Sequence, residues 1–249
     1  MSTQKRWWLL PVIWLLPSAG AWAAGLPAIT LEPTEDGGQA YSLSIQVLAL
    51  MTAITVLPAI LLSMTAFTRI IVVLALLRQA LGTGATPSNQ ILLGLGLFMT
   101  LFVMAPVGQE IYEQAAQPYF DDVVQGELAV QRAAEPIRRF MLANTRENHL
   151  AMFAGMRSET IPENPEDVAF SVLAAAFITS ELTTAFQIGF FIFIPFVVID
   201  LVVASVLMSM GMMMLSPMLV SLPFKIMLFV LVDGWSLITA SLVNSFMVV

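Results

Sequence analysis

The sequence predicts an all-α membrane protein, with about four long apolar helices in hairpins and a small α-helical subdomain between them. Of its 249 residues, 58% are hydrophobic and only 11% are charged, whereas soluble domains have about 25% charged residues. The mean hydropathy is +0.86. Residues 43–109 and 168–249 hold few charges, while residues 110–167 hold eleven of the seventeen acidic residues and five of the ten basic ones.

The N-terminus has the pattern of a secretory signal peptide, which we assign to residues 1–23. A basic pair precedes an apolar run too short to cross a bilayer, and Ala21 and Ala23 occupy the small-residue positions before a cleavage site. We expect cleavage after Ala23, with an uncleaved anchor as the alternative. Residues 24–42 are polar and rich in Pro and Gly, so we expect a flexible N-terminal tail.

The first apolar region, residues 43–109, is predicted to form a helical hairpin. Its first helix is expected to bend at Pro58, and Thr86 is expected to cap the second helix. Arg69 and Arg78 precede the loop between the helices. Because basic residues are enriched in cytoplasmic loops, this loop is predicted to be cytoplasmic.

The acidic stretch, residues 110–167, is predicted to be a helical subdomain on the opposite, periplasmic side of the membrane. Apolar residues at helical spacing indicate two amphipathic helices. These residues are Ile137, Phe140 and Met141 in one pattern, and Leu150, Phe153 and Ala154 in the other.

Residues 168–249 are predicted to form a second apolar helical region that contains a methionine-rich loop. Asn164, followed by a proline and two acidic residues, has the pattern of a helix start. Breaks are expected near Pro217 and Pro223. The candidate helical segments are residues 182–199, 201–224 and 224–246.

Asp200 and Asp233 are the strongest enzymatic candidates. Two carboxylates in apolar helices could share a proton and activate water, as in an intramembrane aspartyl protease. In that class a glycine precedes one of the aspartates, and neither aspartate here follows a glycine. The alternative is that each aspartate pairs with Lys225 or Arg69, or caps a helix. We favour this alternative and expect the chain not to be an enzyme.

The remaining titratable residues give no catalytic or metal-binding pattern. Glu181 lies at the head of an apolar run, where it could line a polar conduit or interact with a helix dipole, and both readings stay open. His149 is the only histidine and lies in a charged segment, and there is no cysteine. We therefore expect neither a metal nor a cofactor. The net charge of −7 argues against a nucleic-acid partner.

Methionine is unusually abundant. There are sixteen methionines, and five lie close together at Met208, Met210, Met212, Met213 and Met214. They could fill a helix core, or their flexible thioether chains could adapt to changing partners.

Several long motifs resemble the FliP family, the flagellar members of the type III export-gate family. The resemblance covers nearly all of residues 43–246. The motifs are FTRIIVVL at 67–74, LRQALG at 77–82, AFITSELTTAFQIGF at 176–190, IPFVVIDLVVASVLM at 194–208 and SLPFKIMLFVLVDGW at 221–235.

This resemblance implies a pore subunit of the bacterial inner membrane that passes unfolded flagellar subunits and is required to assemble the flagellum. It implies a homo-oligomer, expected to be pentameric, in the flagellar basal body with FliQ and FliR and near FlhB and FlhA. The methionines at 210 and 212–214 would then seal the pore. The charged residues Arg69, Glu181, Asp200, Lys225 and Asp233 would be buried and serve assembly.

Two other classes of protein remain as alternatives. A small-solute channel or transporter would have charges lining a site at the membrane midplane. An intramembrane protease would need Asp200 and Asp233 on facing helices. The resemblance favours the export gate.

Overall fold

The computed structural model describes residues 29–33, 39–43, 45–157, 168–212 and 214–247. The expected signal peptide, the helix start at Asn164 and Met213 lie outside the described residues. The chain divides into two units, residues 1–58 and 59–249.

The first unit contains a strand pair and the start of an apolar helix. Strands β1 (Ile29–Pro33) and β2 (Gln39–Leu43) are antiparallel, with Ile29 opposite Leu43. Helix α1 (Ile45–Ser63) follows and contains Pro58 in its interior. The strands differ from the flexible tail expected for residues 24–42. Residues such as Ile29 and Tyr41 favour extended pairing, and the prediction did not weigh them.

The described part of the second unit is helical. Its elements are α2 (Phe67–Leu81), α3 (Asn89–Ile111), a π-helical turn (Tyr112–Ala116), α4 (Gln117–Phe120), α5 (Gly126–Ala143), α6 (Glu147–Met156), α7 (Phe170–Ser209), α8 (Pro217–Leu231) and α9 (Gly234–Met247). Both amphipathic helices predicted in the acidic stretch are present, as α5 and α6.

Helix α2 lies at the centre of this unit. Its buried residues recur at helical spacing along one face: Arg69, Ile70, Val73, Leu74, Leu77, Ala80 and Leu81. Around them pack Leu92 and Met99 from α3, Ala185 from α7, and Leu242 and Phe246 from α9. A second cluster joins α5 and α6 to the start of α7, and a third joins the end of α2 to Phe196 of α7 and Phe229 of α8. Burial of these apolar side chains therefore fixes α7 against α2 along much of its length.

Helix α7 is one continuous helix of 40 residues. The separate segments predicted at 182–199 and 201–224 are therefore wrong, because Glu181 and Asp200 both have partners within the chain and neither interrupts the helix. Gly189 permits the close contact with α2, since a Cβ atom there would lie 2.2 Å from Leu76 Cδ1.

Several helix ends differ from the predicted positions. Helix α3 is capped by Ser88, whose Oγ accepts a hydrogen bond from the Ile91 N–H, and not by Thr86. The predicted break near Pro223 is absent, because Pro223 lies inside α8, whereas α8 does begin at Pro217. The break falls instead at Asp233, which has a φ of +49°.

The predicted fold class is confirmed. By length and composition, Asn89–Phe120 and Phe170–Ser209 can each cross a membrane, and the number rises to four if two bent helix pairs each count as one span. Many large apolar side chains on α1, α3, α7 and α8 are exposed in the single chain. The protein is therefore an all-α membrane protein with apolar surfaces that must be covered by lipid or by other chains.

Candidate functional site

Arg69 is the centre of a buried polar cluster that joins four helices. Its Nε donates to Glu181 Oε2 at 3.0 Å, and its Nη2 forms a second bond with Oε1 of the same carboxylate. Its Nη1 donates to the Ser245 carbonyl at 2.9 Å, and its Nη2 also donates to Asn144 Oδ1 at 3.3 Å. The guanidinium lies 3.8 Å from the centre of the Phe246 ring.

This cluster is withdrawn from water. Side-chain exposure is 4% for Arg69 and 0% for Glu181. A planar guanidinium can bind both oxygens of a carboxylate and stack on an aromatic ring, so every face of Arg69 is used. The cluster connects α2 and α7 to α9 and to Asn144 at the end of α5.

Lys225 and Asp200 form a second ion pair, between α8 and α7. Lys225 Nζ donates to Asp200 Oδ2 at 2.6 Å and to the Ala80 carbonyl at 3.2 Å. Ser221 Oγ donates to Asp200 Oδ1 at 2.5 Å. The Lys225 side chain is 4% exposed and that of Asp200 is 38% exposed. The pair therefore fixes α8 against α7 and against the end of α2.

Asp233 is exposed, whereas the other charged residues singled out from the sequence are buried or, in the case of Asp200, partly exposed. It lies in the turn between α8 and α9. The protease alternative requires Asp233 to share a proton with Asp200, and both oxygens of Asp200 are hydrogen-bonded to Ser221 and Lys225 instead. Within the described residues, no group of three or more metal-ligating side chains comes together.

The methionine-rich loop forms an exposed turn after α7. Gly211 has a φ of +75°, its N–H donates to the Met208 carbonyl, and the Met212 N–H donates to the Leu207 carbonyl. These two bonds form a glycine C-cap, which ends α7. In the single chain, Met210 is 66% exposed, Met212 is 39% exposed and Met214 is fully exposed. The described methionines of this turn are therefore not core residues of the chain.

A polar contact between α6 and α7 was missed from the sequence. Ser180 Oγ donates to a backbone carbonyl one turn earlier, accepts the Arg146 N–H at 3.0 Å and lies 2.8 Å from His149 Nδ1. The Ser180 hydroxyl therefore joins the start of α6 to α7. The Arg146 guanidinium reaches Thr184 and Gln187. The signal was present, since Ser180, Thr184 and Gln187 have i, i+4, i+7 spacing in an apolar helix.

Comparison with known proteins gives one family. The sequence pattern of the FliP family matches residues 50–242. Flagellar biosynthetic protein FliP of Pectobacterium carotovorum subsp. carotovorum is 55% identical over 248 residues, covering 99% of this chain and 94% of that protein. The protein of the same name from Cereibacter sphaeroides is 56% identical over 223 residues, covering 89% and 73%. The one from Bacillus subtilis (strain 168) is 52% identical over 205 residues, covering 82% and 93%.

These matches confirm the resemblance that the sequence motifs predicted, and family membership implies a place in the flagellar export apparatus. The apolar helices agree with a protein embedded in a membrane. The chain therefore belongs to the FliP family.

Proposed function

We propose that the chain is the pore-forming subunit of the flagellar type III export gate, in the bacterial inner membrane. Several copies, expected to be five by family resemblance, assemble with FliQ and FliR, near FlhB and FlhA. The gate passes unfolded flagellar subunits, and the acidic subdomain lies on the periplasmic side. The observation that carries this proposal is the exposed methionine-rich turn between two anchored apolar helices.

The chemistry of the turn suits a seal around a moving chain. An unfolded polypeptide presents side chains of every size, so a rigid constriction would either stop large residues or leak around small ones. Methionine side chains are unbranched and flexible, and they repack easily around different partners. They also carry no charge to which a passing segment could bind. Met210, Met212, Met213 and Met214 form the proposed seal.

The ion pairs give this turn a rigid support. Asp200 lies ten residues before Met210 on α7, or about 15 Å at 1.5 Å per residue. Its contacts with Lys225 and Ser221 hold the two helices together behind the turn. Nearer the start of α7, the Arg69–Glu181 cluster holds α7 against α2. We infer that the two ion pairs hold the subunit in the conformation that assembly requires. This structural role agrees with the FliP family, which is not known as a family of enzymes.

The test is to shorten Met212, Met213 and Met214 together to alanine. We expect the oligomer to assemble in nearly normal yield, because the exposed side chains of Met212 and Met214 contribute little to the subunit fold. We also expect the overproduced gate to leak small solutes. Leucine at the same three positions should preserve the seal better than alanine does, because leucine restores most of the lost side-chain volume. Solute entry and the yield of assembled complex are measured together.

Met141 provides the matched control, because it is fully buried. Met141→Ala should lower the yield of folded complex, at a cost of about 2–5 kcal/mol, without producing a leak. A triple alanine variant that assembles normally and stays impermeable would defeat the seal.

A further inference from the structure

The two apolar regions, residues 43–109 and 168–249, contain six charged side chains. They are Arg69, Arg78, Glu181, Asp200, Lys225 and Asp233. Four of them form the two ion pairs within the chain. One cation, Arg78, and one anion, Asp233, are left over. Charges in apolar regions are stabilised by partners of opposite sign, and within the described residues neither of these two has one.

Arg78 has only neutral acceptors among the described residues. Its Nη1 donates to Asn89 Oδ1 at 2.6 Å and lies 3.4 Å from the Pro87 carbonyl. It lines an open groove of about 480 Å³, together with the apolar side chains of Val72, Leu76 and Met218. The guanidinium therefore lies at an apolar surface with room for side chains of another molecule.

Asp233 lies on an apolar surface of its own. Leu231 is 75% exposed and Val232 48% exposed, and Trp235 follows on the other side. Within the part of the chain that the structure describes, the Asp233 carboxylate has no hydrogen-bond or ionic partner. Its left-handed backbone suits aspartate, but asparagine or glycine would serve that turn equally well. The turn therefore accounts for the left-handed backbone at this position, but it gives no reason for a charged side chain there.

The two unpaired charges both lie close in sequence to residues of one apolar cluster. Leu77, next to Arg78, packs in one cluster with Phe229 and Ile238. Asp233 lies between those two residues in the sequence, four after Phe229 and five before Ile238. A head-to-tail contact between copies joins two different surfaces of the chain, and a cation and an anion without partners supply complementary charges for such a contact.

We propose that Arg78 of one copy binds Asp233 of the next copy, as the ionic contact of a head-to-tail interface that closes into a ring. This inference rests on the homo-oligomer of the proposed function and names the surfaces through which its copies meet. A heterologous contact of this kind generates a ring when the rotation closes. The surrounding apolar side chains exclude water from the pair, which strengthens it and fixes the register of the interface.

Cysteine cross-linking tests the contact directly, because the chain contains no cysteine. Two differently tagged copies, one with Arg78→Cys and one with Asp233→Cys, are expressed together with the rest of the complex. A bismaleimide spanning about 8 Å is used, because a disulfide would require Cβ atoms only about 3.5–4.5 Å apart. We expect dimers that carry both tags, and a ladder of higher oligomers when both substitutions are in one chain.

The exposed pair Glu110–Arg139 is the matched control, since it joins two residues within one chain. Glu110→Cys with Arg139→Cys should cross-link inside the chain and produce no ladder. Adducts of the 78 and 233 positions with a different protein only, and none between copies, would overturn the proposal in favour of a hetero-oligomeric contact.

Charge reversal gives a second measurement. Arg78→Asp or Asp233→Arg alone should reduce the assembled oligomer about tenfold, while the two together should restore it. Asp233→Asn keeps the turn and should lower assembly without lowering the melting temperature of the chain. A double reversal no better than either single change would refute the pair. If the wild type is a homo-oligomer that exports normally but the two cysteine variants give no cross-link between copies, this inference fails alone. A complex with a single copy defeats the homo-oligomer as well.

Discussion

Replacing Glu181 by alanine should destabilise the protein strongly, because it leaves the Arg69 guanidinium charged and buried. The substitution removes both bonds between the guanidinium and the carboxylate, and Arg69 is too enclosed for water to replace them. Breaking a buried ion pair in this way costs about 3–5 kcal/mol. For a chain of this size, that corresponds to a fall in melting temperature of about 6–20 °C. The melting temperature of the detergent-extracted protein is the direct measurement.

Two further variants separate charge from packing. Glu181→Gln retains an acceptor for the guanidinium and should cost less than alanine. Glu110→Ala breaks the exposed ion pair with Arg139. The side chains of Glu110 and Arg139 are 45% and 54% exposed, so this change should cost about 0–1 kcal/mol. If Glu181→Ala melts within the error of Glu110→Ala, the Arg69 cluster is not a stabilising element and the reasoning is refuted.

Two more predictions follow from the α7 contacts. Asp200→Ala should cost about 1.5–3 kcal/mol of stability because Lys225 loses its charged partner, which is less than the cost of Glu181→Ala because Asp200 is partly exposed. Asp200→Asn should be milder. Motility and the yield of complex are measured for both variants, and full motility of Asp200→Ala would contradict the prediction. Gly189→Val should cost about 1–3 kcal/mol of stability, because the added side chain overlaps α2. Gly155→Ala is the control: no neighbouring atom lies within 4 Å of the added Cβ, so the melting temperature should stay the same or rise slightly. Equal effects of the two variants on the melting temperature would show that α7 does not depend on its close contact with α2.

The apolar helical regions could be predicted from the sequence, but several helix ends and the pairing of the helices could not. Long uncharged runs with helical spacing indicate apolar helices wherever they occur. The sequence also favoured aspartates that pair with Lys225 or Arg69 or cap a helix. Asp200 does pair with Lys225, whereas Arg69 pairs with Glu181. The sequence left the assignment open, because Arg69 and Glu181 are 112 residues apart and only the packing of α2 against α7 brings them together.

The errors at Asp200 and Pro223 have a common physical cause. The sequence reading treated a charge or a proline as a break, although both are tolerated when their polar groups find partners. Asp200 is accommodated by Lys225 and Ser221, so α7 passes through it. The actual break at Asp233 depends on a left-handed backbone conformation that aspartate adopts more readily than most residues, a weaker signal than proline.

The length of α7 decides how its apolar surface must be covered. Its 40 residues extend about 60 Å, twice the roughly 30 Å of the hydrocarbon layer. To fit entirely within that layer, the helix would need a tilt of about 60°, beyond the 0–40° found for membrane helices. Yet only 11% of its most apolar window is buried inside the chain. Lipid can therefore cover only part of α7, and its other exposed apolar side chains need cover from other protein chains. A single copy is thus an incomplete unit, which is the physical reason to expect an assembly.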